Sequence, residues 1–383
     1  MSASQIAVMP RRCVVAGAIT AFAKDDWNRC FPGALEDWDY HRAVEEAGLP
    51  GFTWRYFAVM EGAALLAVVP AFLTSYRLDT TLQGGAKRLT DRLVRRFPNA
   101  LSIRLACLGS PVTETCRVGF APHVAEPDKP ALLAMVIETL RAFAREQRIG
   151  LLAVKDARDE DAALWQPALA GFARMAGLPS AALPVPFASF DDYLRSLSAG
   201  TRKDMRRKLR SESAIRIESR AAVDDVMDRM MALYEETVAR SDLQFERLPA
   251  AYFTNVLKRM PGRARCVLYW RDAELLAFNL VLESPERLID KFIGTGAAAR
   301  AHNIYFLSWM ENIRRCIAGG VPVYESGQAG YAVKVRLGST LSLNWNYFRH
   351  LNPAVNVALR LVARLVRLDR FDPEIRLALT GSK

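Results

Sequence analysis

The chain has 383 residues, of which 51% are hydrophobic and 24% are charged. This composition excludes a disordered or fibrous protein and leaves room for two folded domains. The 52 Lys and Arg against 41 Asp and Glu give a formal net charge of +11, which favours anionic partners such as a nucleotide, RNA or an anionic membrane surface.

Metal-binding and secretory signals are absent from the sequence. The six cysteines form no CxxC pair and the four histidines are scattered, so no metal site is predicted and the thiols are interpreted as structural. The N-terminus lacks the pattern of a secretory signal. The longest apolar stretch, residues 63–74, contains Pro70 and is too short to span a bilayer. The sequence therefore predicts a cytoplasmic protein.

The first half of the chain predicts mixed helices and strands. Residues 129–147 carry apolar side chains on one helical face, and residues 54–60 and 65–73 form a strand pair with a short acidic turn. The other predicted elements are a strand at 14–19, a helix at 35–47, strands at 102–108 and 149–155, and a helix at 164–175. Two prolines within residues 182–186 predict the crossing between domains 1–183 and 184–383.

The second half begins with a basic helix and centres on three neighbouring strands. The predicted elements are a basic segment at 198–210, a strand at 215–218, helices at 223–238 and 250–260, strands at 266–271, 275–283 and 288–293, a helix at 304–318, a strand at 321–324 and a C-terminal helix at 353–368. The tight turns between the three strands predict an antiparallel meander. Gly294 and Gly296 precede the helix at 304–318, and Gly319-Gly320 ends it.

Three pieces of this half together resemble a known family. They are residues 193–210 (YLRSLSAGTRKDMRRKLR), the meander with its glycine loop and helix, and residues 325–338 (ESGQAGYAVKVRLG). This order resembles the GNAT acyltransferase fold, and more closely its FemAB-like or CelD-like branch with tandem GNAT domains. The resemblance implies an α/β (α+β) protein with two GNAT-like domains, each a mixed, mostly antiparallel sheet flanked by helices. The first domain would be degenerate and the second an acyltransferase.

The resemblance also implies an anionic acyl carrier, acyl-CoA, beside the loop at 294–303. Gly294, Gly296, Arg300 and Asn303 would meet its pyrophosphate at the helix N-terminus. On the basic segment, Arg202, Lys203 and Arg206 would contact phosphate. The loop does not have the usual GNAT glycine spacing, and FemAB-like relatives use aminoacyl-tRNA, which is therefore the alternative donor. The glycines equally fit a plain turn, and the basic run equally fits a solvated helix.

The predicted reaction is direct attack of an amine on the acyl group, without a covalent enzyme intermediate. Asp290, Glu325, Tyr324 and His302 are the candidates for proton transfer, and Lys291 and Lys334 are the candidates for binding a carboxylate or the oxyanion. The resemblance ranks Lys334 above Lys291 and implies that Tyr305 protonates the leaving thiolate. Each of these residues alone also fits a structural role. The acceptor would be a small molecule or a cell-envelope precursor, and the oligomeric state is left open.

Two further interpretations stay open. No GxSxG, HExxH, Walker A or GxGxxG motif is present, so other enzyme classes lack support. A non-catalytic GNAT-fold scaffold is the non-enzymatic alternative. In the C-terminal helix, Val355, Leu359 and Val362 alternate with Arg360 and Arg364. That helix either packs on the body of the protein or lies on an anionic membrane as a peripheral contact.

Overall fold

A computed structural model of the chain describes residues 10–77, 102–241 and 245–365. The described residues form two compact units that are not contiguous in sequence. The first unit contains residues up to 32, residues 51–177 and the segment that begins at residue 344. The second contains residues 33–50 and 178–343. Each unit has its own sheet and its own buried core.

The strands of the described residues are, in chain order, β1 (Arg11–Ala16), β2 (Thr53–Glu61), β3 (Ala64–Arg77), β4 (Ser102–Leu108), β5 (Gly119–Phe120), β6 (Leu151–Arg158), β7 (Ala173–Ala176), β8 (Ser180–Pro184), β9 (Arg216–Arg220), β10 (Ala264–Arg271), β11 (Glu274–Glu283), β12 (Leu288–Thr295), β13 (Val323–Gly327), β14 (Thr340–Ser342) and β15 (Asn344–His350). The α-helices are α1 (Lys24–Cys30), α2 (Trp38–Ala47), α3 (Lys129–Glu146), α4 (Ala162–Ala168), α5 (Phe190–Ser196), α6 (Ala199–Leu209), α7 (Met227–Ala239), α8 (Ala250–Arg259), α9 (Ile304–Gly319), α10 (Tyr331–Arg336) and α11 (Pro353–Leu365).

The sheet of the first unit has the strand order β1-β2-β3-β4-β6-β15-β7, with β5 paired to β3. Only the β4–β6 pair is parallel among the described strands of this sheet. The apolar face of α3, including Leu133, Val136 and Leu140, packs into the core, as its periodicity predicts. Strand β15 lies between β6 and β7 although it comes from the end of the described chain.

The sheet of the second unit has the strand order β14-β8-β13-β12-β11-β10-β9. Helices α5, α6 and α9 contribute side chains to one core of this unit. Helix α2 packs against α8, where the hydroxyls of Tyr40 and Tyr252 lie 3.0 Å apart. Arg263 joins this contact because its two terminal nitrogens donate to Asp37 and Asp39, each at 2.5 Å. Residues 33–50 are therefore an integral part of the second unit.

The predicted fold class is confirmed: two mixed, mostly antiparallel sheets are flanked by helices. The predicted division at residues 183 and 184 falls inside β8, whereas the chain passes between the units at residues 177 and 178. Sequence patterns did not indicate the exchanged segments 33–50 and 344–365. Those segments join their units through contacts with residues more than a hundred positions away in the chain.

Several predicted elements differ from the structure. The predicted helix at 164–175 is wrong in its second half, because Gly171 adopts a φ of +82° and β7 begins at Ala173. Residues 182–186, interpreted as a linker, belong mainly to β8. Residues 325–338 contain helix α10, and β14 and β15 were not predicted. The last three residues of the predicted helix at 353–368 lie outside the described residues.

We expect acid to destabilise the second unit through His41, a buried residue of α2. Burial lowers the pKa of His41 to about 4, so between that value and its usual 6.5 the unfolded chain binds a proton that the folded chain does not. Stability therefore falls as pH falls, by about 2 kcal/mol from about pH 7.5 to about pH 5. Urea unfolding at both pH values, for the wild type and His41→Gln, measures this effect. Equal loss in both proteins would contradict the assignment.

Candidate functional site

The opening between β12 and β13 is the central feature of the second unit. These strands are parallel and pair at only two positions, Leu288 with Tyr324 and Ile289 with Glu325. Beyond these pairs β12 continues to Thr295 and β13 to Gly327 without further pairing between them. Helix α9 connects the two strands. The two strands therefore separate after Ile289 and Glu325, and β12 beyond Ile289 has no backbone partner in β13.

A β-bulge in β12 directs two adjacent side chains apart. Phe292 pairs with Leu280 and Asp290 pairs with Val281, so Lys291 is the extra residue. A bulge bends its strand and changes where its side chains point. Asp290 contacts groups on β11 and β13, whereas Lys291 pairs with Glu36, which precedes α2. The bulge thus places the carboxylate of Asp290 and the ammonium of Lys291 where β12 and β13 separate, each with its own partners.

Asp290 is part of a buried polar network. Its Oδ1 accepts a hydrogen bond from Asn279 at 2.8 Å, and its Oδ2 accepts one from the Tyr324 hydroxyl at 3.1 Å. The Tyr324 hydroxyl in turn accepts from Asn312 of α9 at 3.1 Å. Burial raises the pKa of Asp290, although the hydrogen bond from Asn279 opposes the shift. Asn279 Oδ1 and Asn312 Oδ1 are buried and accept no hydrogen bond from the described residues.

Lys334 is a buried residue of α10, with 5% of its surface exposed. Its Nζ donates to the carbonyl oxygens of Ser326, Gly327 at 2.8 Å and Gln328 at 3.4 Å. An ammonium has three protons, so these three carbonyls occupy its donors. Its charge also lowers the pKa of Asp290, against the larger effect of burial. This geometry makes Lys334 a residue that fixes the end of β13 and leaves no donor for an oxyanion.

Tyr305, in the first turn of α9, reaches the same end of β13. Its hydroxyl lies 3.7 Å from the position that a β-carbon on Gly330 would occupy. It also lies near enough to Tyr324 to contribute to the raised pKa of that residue, which burial mainly causes. Tyr305 is half-buried. The structure therefore brings the predicted residues Asp290, Lys334 and Tyr305 together around Tyr324.

Glu325 follows Tyr324 in β13, and its side chain leaves the opposite face of the strand. It accepts a hydrogen bond from Arg287 at 2.9 Å, and 30% of its side chain is exposed. Glu36 and the nearly buried Lys291 pair at 2.6 Å beside it. Burial raises the pKa of Glu325, opposed by the charge of Arg287. A carboxylate with a raised pKa and partial exposure is suited to accept a proton from a bound amine.

The glycines of the loop before α9 have a packing role. A β-carbon on Gly294 would overlap the ring of Phe278, and one on Gly296 would lie 2.9 Å from Leu233. Neither glycine has a positive φ. Close packing against β11 and α7 therefore explains both glycines, in agreement with the plain turn that the sequence left open. Asn303 is the N-cap residue of α9, but its side chain makes no capping hydrogen bond. Arg300 is exposed.

One backbone N–H of this loop already donates a hydrogen bond to a carboxylate. Glu236 of α7 accepts a hydrogen bond from the Ala297 N–H at 2.9 Å. The Gly296 N–H donates to the carbonyl of Leu276 at 3.0 Å. A negative charge at this position repels a phosphate at the same amides. The loop therefore differs from a typical pyrophosphate cradle in geometry as well as in glycine spacing.

The basic helix α6 divides into two groups of side chains. Arg202 turns back and donates to the carbonyls of Arg195 at 3.1 Å and Leu197 at 3.2 Å. Lys203, Arg206 and Arg210 are exposed, and their spacing places them on one helical face. This helix lies against the start of α9, because the Ser211 hydroxyl donates to the His302 carbonyl at 2.9 Å. Cationic side chains thus lie near the loop that holds Arg300.

Sequence reasoning missed several members of the site. Asn279 is a single polar residue within an apolar strand, which was the available signal, whereas Asn312 follows Glu311 in a stretch with several polar residues and gave none. Arg287 and Glu36 gave no signal, because one lies in a turn and the other far away in the chain. Within residues 10–77, 102–241 and 245–365, the structure contains no group of three potential metal ligands. No helix in those ranges is long and apolar enough to cross a bilayer.

The second unit has the architecture of a GNAT fold, and comparison with known families supports that class for this part of the chain. Residues 199–335 match the model of the acetyltransferase (GNAT) domain. The matched range includes the meander, the loop, α9 and most of α10. This match supports an acyltransferase as the class of enzyme, in agreement with the resemblance found in the sequence. A search of curated proteins finds no matching sequence.

Solved structures show the same fold at low sequence identity. FemX matches with a TM-score of 0.59 and 12% identity, over 92% of this chain and all of the FemX chain. A tandem GNAT protein from the clavulanic acid biosynthesis pathway matches with a TM-score of 0.52 and 13% identity, over 90% of this chain and 99% of that chain. The C-terminal domain of a predicted lysylphosphatidylglycerol synthetase from Agrobacterium fabrum matches with a TM-score of 0.52 and 14% identity, over 89% of this chain and 96% of that chain. These likenesses confirm the tandem GNAT fold expected from the sequence.

We expect Gly294→Ala to destabilise the protein, because the added methyl group meets the Phe278 ring. Overpacking of this kind costs about 1–3 kcal/mol. Gly200→Ala is the matched control, since nothing lies within 4 Å of the β-carbon that it would add. Urea unfolding of the two variants measures the difference. If Gly294→Ala were as stable as the control, the packing role assigned to this glycine would be rejected.

Proposed function

We propose that this protein transfers an acyl group from acyl-CoA to an amine of a small molecule or a cell-envelope precursor. The observation that carries the proposal is the divergence of β12 from β13 with polar side chains on both of its faces. An extended thioester arm would hydrogen-bond to the edge of β12 that β13 leaves without a partner, as a further strand would. The GNAT match over residues 199–335 supports the same class of reaction.

The anionic part of the donor would lie at the start of α9. Lys203 and Arg206 on α6 and Arg300 on the loop are exposed there. The N-terminus of α9 carries partial positive charge, and the Asn303 side chain does not cap it. Phosphate groups bound by these cations would place the thioester towards the divergence.

Acyl transfer then needs a proton acceptor and a proton donor at different atoms. The amine nitrogen attacks the thioester carbonyl carbon and gives its proton to Glu325. The tetrahedral intermediate collapses, the carbon–sulfur bond breaks, and the leaving sulfur takes a proton from Tyr305. The two residues belong to different clusters at the divergence, which suits these separate tasks. Positioning of donor and acceptor accounts for much of the rate.

Asp290 and Lys334 act through the strands that they hold. Both carboxylate oxygens of Asp290 accept hydrogen bonds, and the ammonium of Lys334 is bound to backbone carbonyls. We therefore assign them positioning roles, in place of the base and oxyanion roles considered from the sequence. Tyr324 connects them to Asn312 and thereby to α9.

An aminoacyl-tRNA donor is the second candidate, and one observation favours it. Glu236 occupies the Ala297 amide where a pyrophosphate would bind in a typical GNAT loop. An aminoacyl-tRNA needs no pyrophosphate at this position, because its phosphates follow an extended basic surface. The exposed face of α6 with Lys203, Arg206 and Arg210 offers such a surface. In that reaction an ester carbon–oxygen bond breaks, and the ribose hydroxyl leaves.

We expect Glu325→Gln to reduce kcat by about 10²–10⁴-fold, because general base catalysis contributes about that factor. Burial raises the pKa of Glu325, so wild-type kcat/KM should rise with pH through a limb above the usual carboxylate range. The variant should lack this limb. Glu283→Gln is the matched control, a strand-end carboxylate paired with Arg265 at 3.1 Å. An unchanged pH profile in Glu325→Gln would exclude Glu325 as the base.

Thermal unfolding with candidate donors identifies the carrier. We expect acetyl-CoA or a longer acyl-CoA to raise Tm, because a ligand at about 100 times its Kd stabilises the native state by about 2.7 kcal/mol. The shift should shrink in a Lys203→Glu, Arg206→Glu double variant and persist in Arg247→Glu, a control at an exposed arginine paired with Glu235.

The other outcomes of that experiment decide between the alternatives. A shift with charged tRNA alone would replace acyl-CoA by aminoacyl-tRNA as the donor. The absence of a shift with every donor, together with no acyl transfer to amines, would overturn the transferase proposal in favour of a non-catalytic scaffold.

A further inference from the structure

The outer surface of α11 is unusually apolar. The exposed fractions of Val355, Val357, Leu361 and Val362 are 44%, 57%, 55% and 54%. Only two other large hydrophobic side chains are exposed in the described parts of the chain, Phe245 and Leu343. Four of these six side chains therefore lie on one helix. They form a contiguous apolar patch, unlike the scattered single apolar residues that are normal on protein surfaces.

The inner face of α11 is occupied by other residues. Ala363 is buried, and Leu359 and Asn356 are half-buried. Asn356 donates to the Gly171 carbonyl at 3.1 Å, which fixes this face on the first unit. At 3.6 residues per turn, the exposed side chains from Val357 to Val355 span an arc of about 160°, and every residue in that arc is Ala, Val or Leu. A helix that is apolar on both sides is normally covered.

Positive charge adjoins this apolar face. Arg360 is exposed on α11 itself. The guanidinium groups of Arg141 and Arg349 both lie against the ring of Phe172, at 5.7 Å and 5.8 Å from its centre. Arg349 also donates to the Ala170 carbonyl at 3.1 Å, next to the carbonyl that binds α11. Burial lowers the pKa of Arg349, and the charges of Arg141 and nearby Arg145 add to the effect.

We propose that α11 and the arginines beside it form a binding surface for an anionic phospholipid membrane. Here the helix lies in the plane of the interface with Val357, Leu361 and Val362 among the acyl chains, and the arginines contact lipid phosphates. Helices of this kind combine an apolar face with flanking basic residues. The sequence that follows α11 continues this charge with Arg367 and Arg370. A membrane surface would bring the acyl-transfer unit to acceptors that reside in or on the bilayer.

The charge argues against a second copy of this chain as the occupant of the face. In a two-fold symmetric contact centred on α11, Arg360 of both copies would enter the same interface. Like charges placed together across an interface are unfavourable. Anionic lipid headgroups supply the opposite charge to Arg360, which is exposed beside the apolar face, whereas Arg141 already pairs with Glu138.

Vesicle binding by the full chain tests the proposal. Co-sedimentation is measured with vesicles of phosphatidylcholine alone and with about one third phosphatidylglycerol, at low and high salt. We expect binding at least about 10-fold tighter to the anionic vesicles, weakened by salt. The double variant Leu361→Asp, Val362→Asp should lose about 10-fold or more in affinity, and Arg360→Glu should lose affinity for anionic vesicles.

Leu343→Asp is the matched control, because Leu343 is an exposed leucine outside α11. It should bind vesicles as the wild type does. Circular dichroism and the melting temperature show whether each variant is folded, and acyl transfer to a soluble amine should be unchanged. Equal binding to neutral and anionic vesicles, no binding by the wild type, or full binding by the α11 variants would overturn the proposal. A dimer in sedimentation velocity that Leu361→Asp, Val362→Asp dissolves would assign the face to self-association instead.

Discussion

The early separation of β12 from β13 is the constraint on which the second unit depends. Strands in a sheet normally satisfy their backbone groups by pairing along their length, but here only two residue pairs form. The carbonyl oxygens of Ser326 and Gly327 lie beyond that pairing, and the buried ammonium of Lys334 binds them instead. The Lys334 side chain thereby supplies hydrogen bonds to β13 where β12 does not pair with it. An enclosed opening in a sheet needs such a substitute, because unpaired buried carbonyls are costly.

The separation gives the two sides of the sheet different chemical characters. One side holds a network of neutral amides and hydroxyls around Asp290, and two amide oxygens in it receive no hydrogen bond from the part of the chain that the structure describes. The other holds alternating charges, with Glu325 and Arg287 beside Lys291 and Glu36. Burial raises the pKa of Asp290 on one side and of Glu325 on the other. Only Glu325 combines that shift with a charged partner and access to solvent.

Local patterns predicted the elements whose neighbours are close in sequence. The meander, α3 and α9 follow from strand turns and helical periodicity. Strand β14 has only three residues, and both β14 and β15 pair with strands far away in the chain, so local patterns did not predict them. The charge on α6 did not reveal that Arg202 binds backbone carbonyls whereas Lys203 faces solvent, because residue type does not fix the direction of a side chain. Residue type identified the candidate acids and tyrosine of the site, and tertiary contacts alone determined their partners.

The exchange of segments between the units has a consequence for biosynthesis. The second unit requires residues 33–50, which leave the ribosome early, and the sheet of the first unit receives β15 between β6 and β7 only when residue 350 has been synthesised. Until then β6 and β7 present open edges that can pair with other chains. The sheet of the first unit therefore cannot be completed before the residues of the second unit up to Leu343 have been synthesised. A chain divided at the middle would leave one fragment without a strand and the other without a helix.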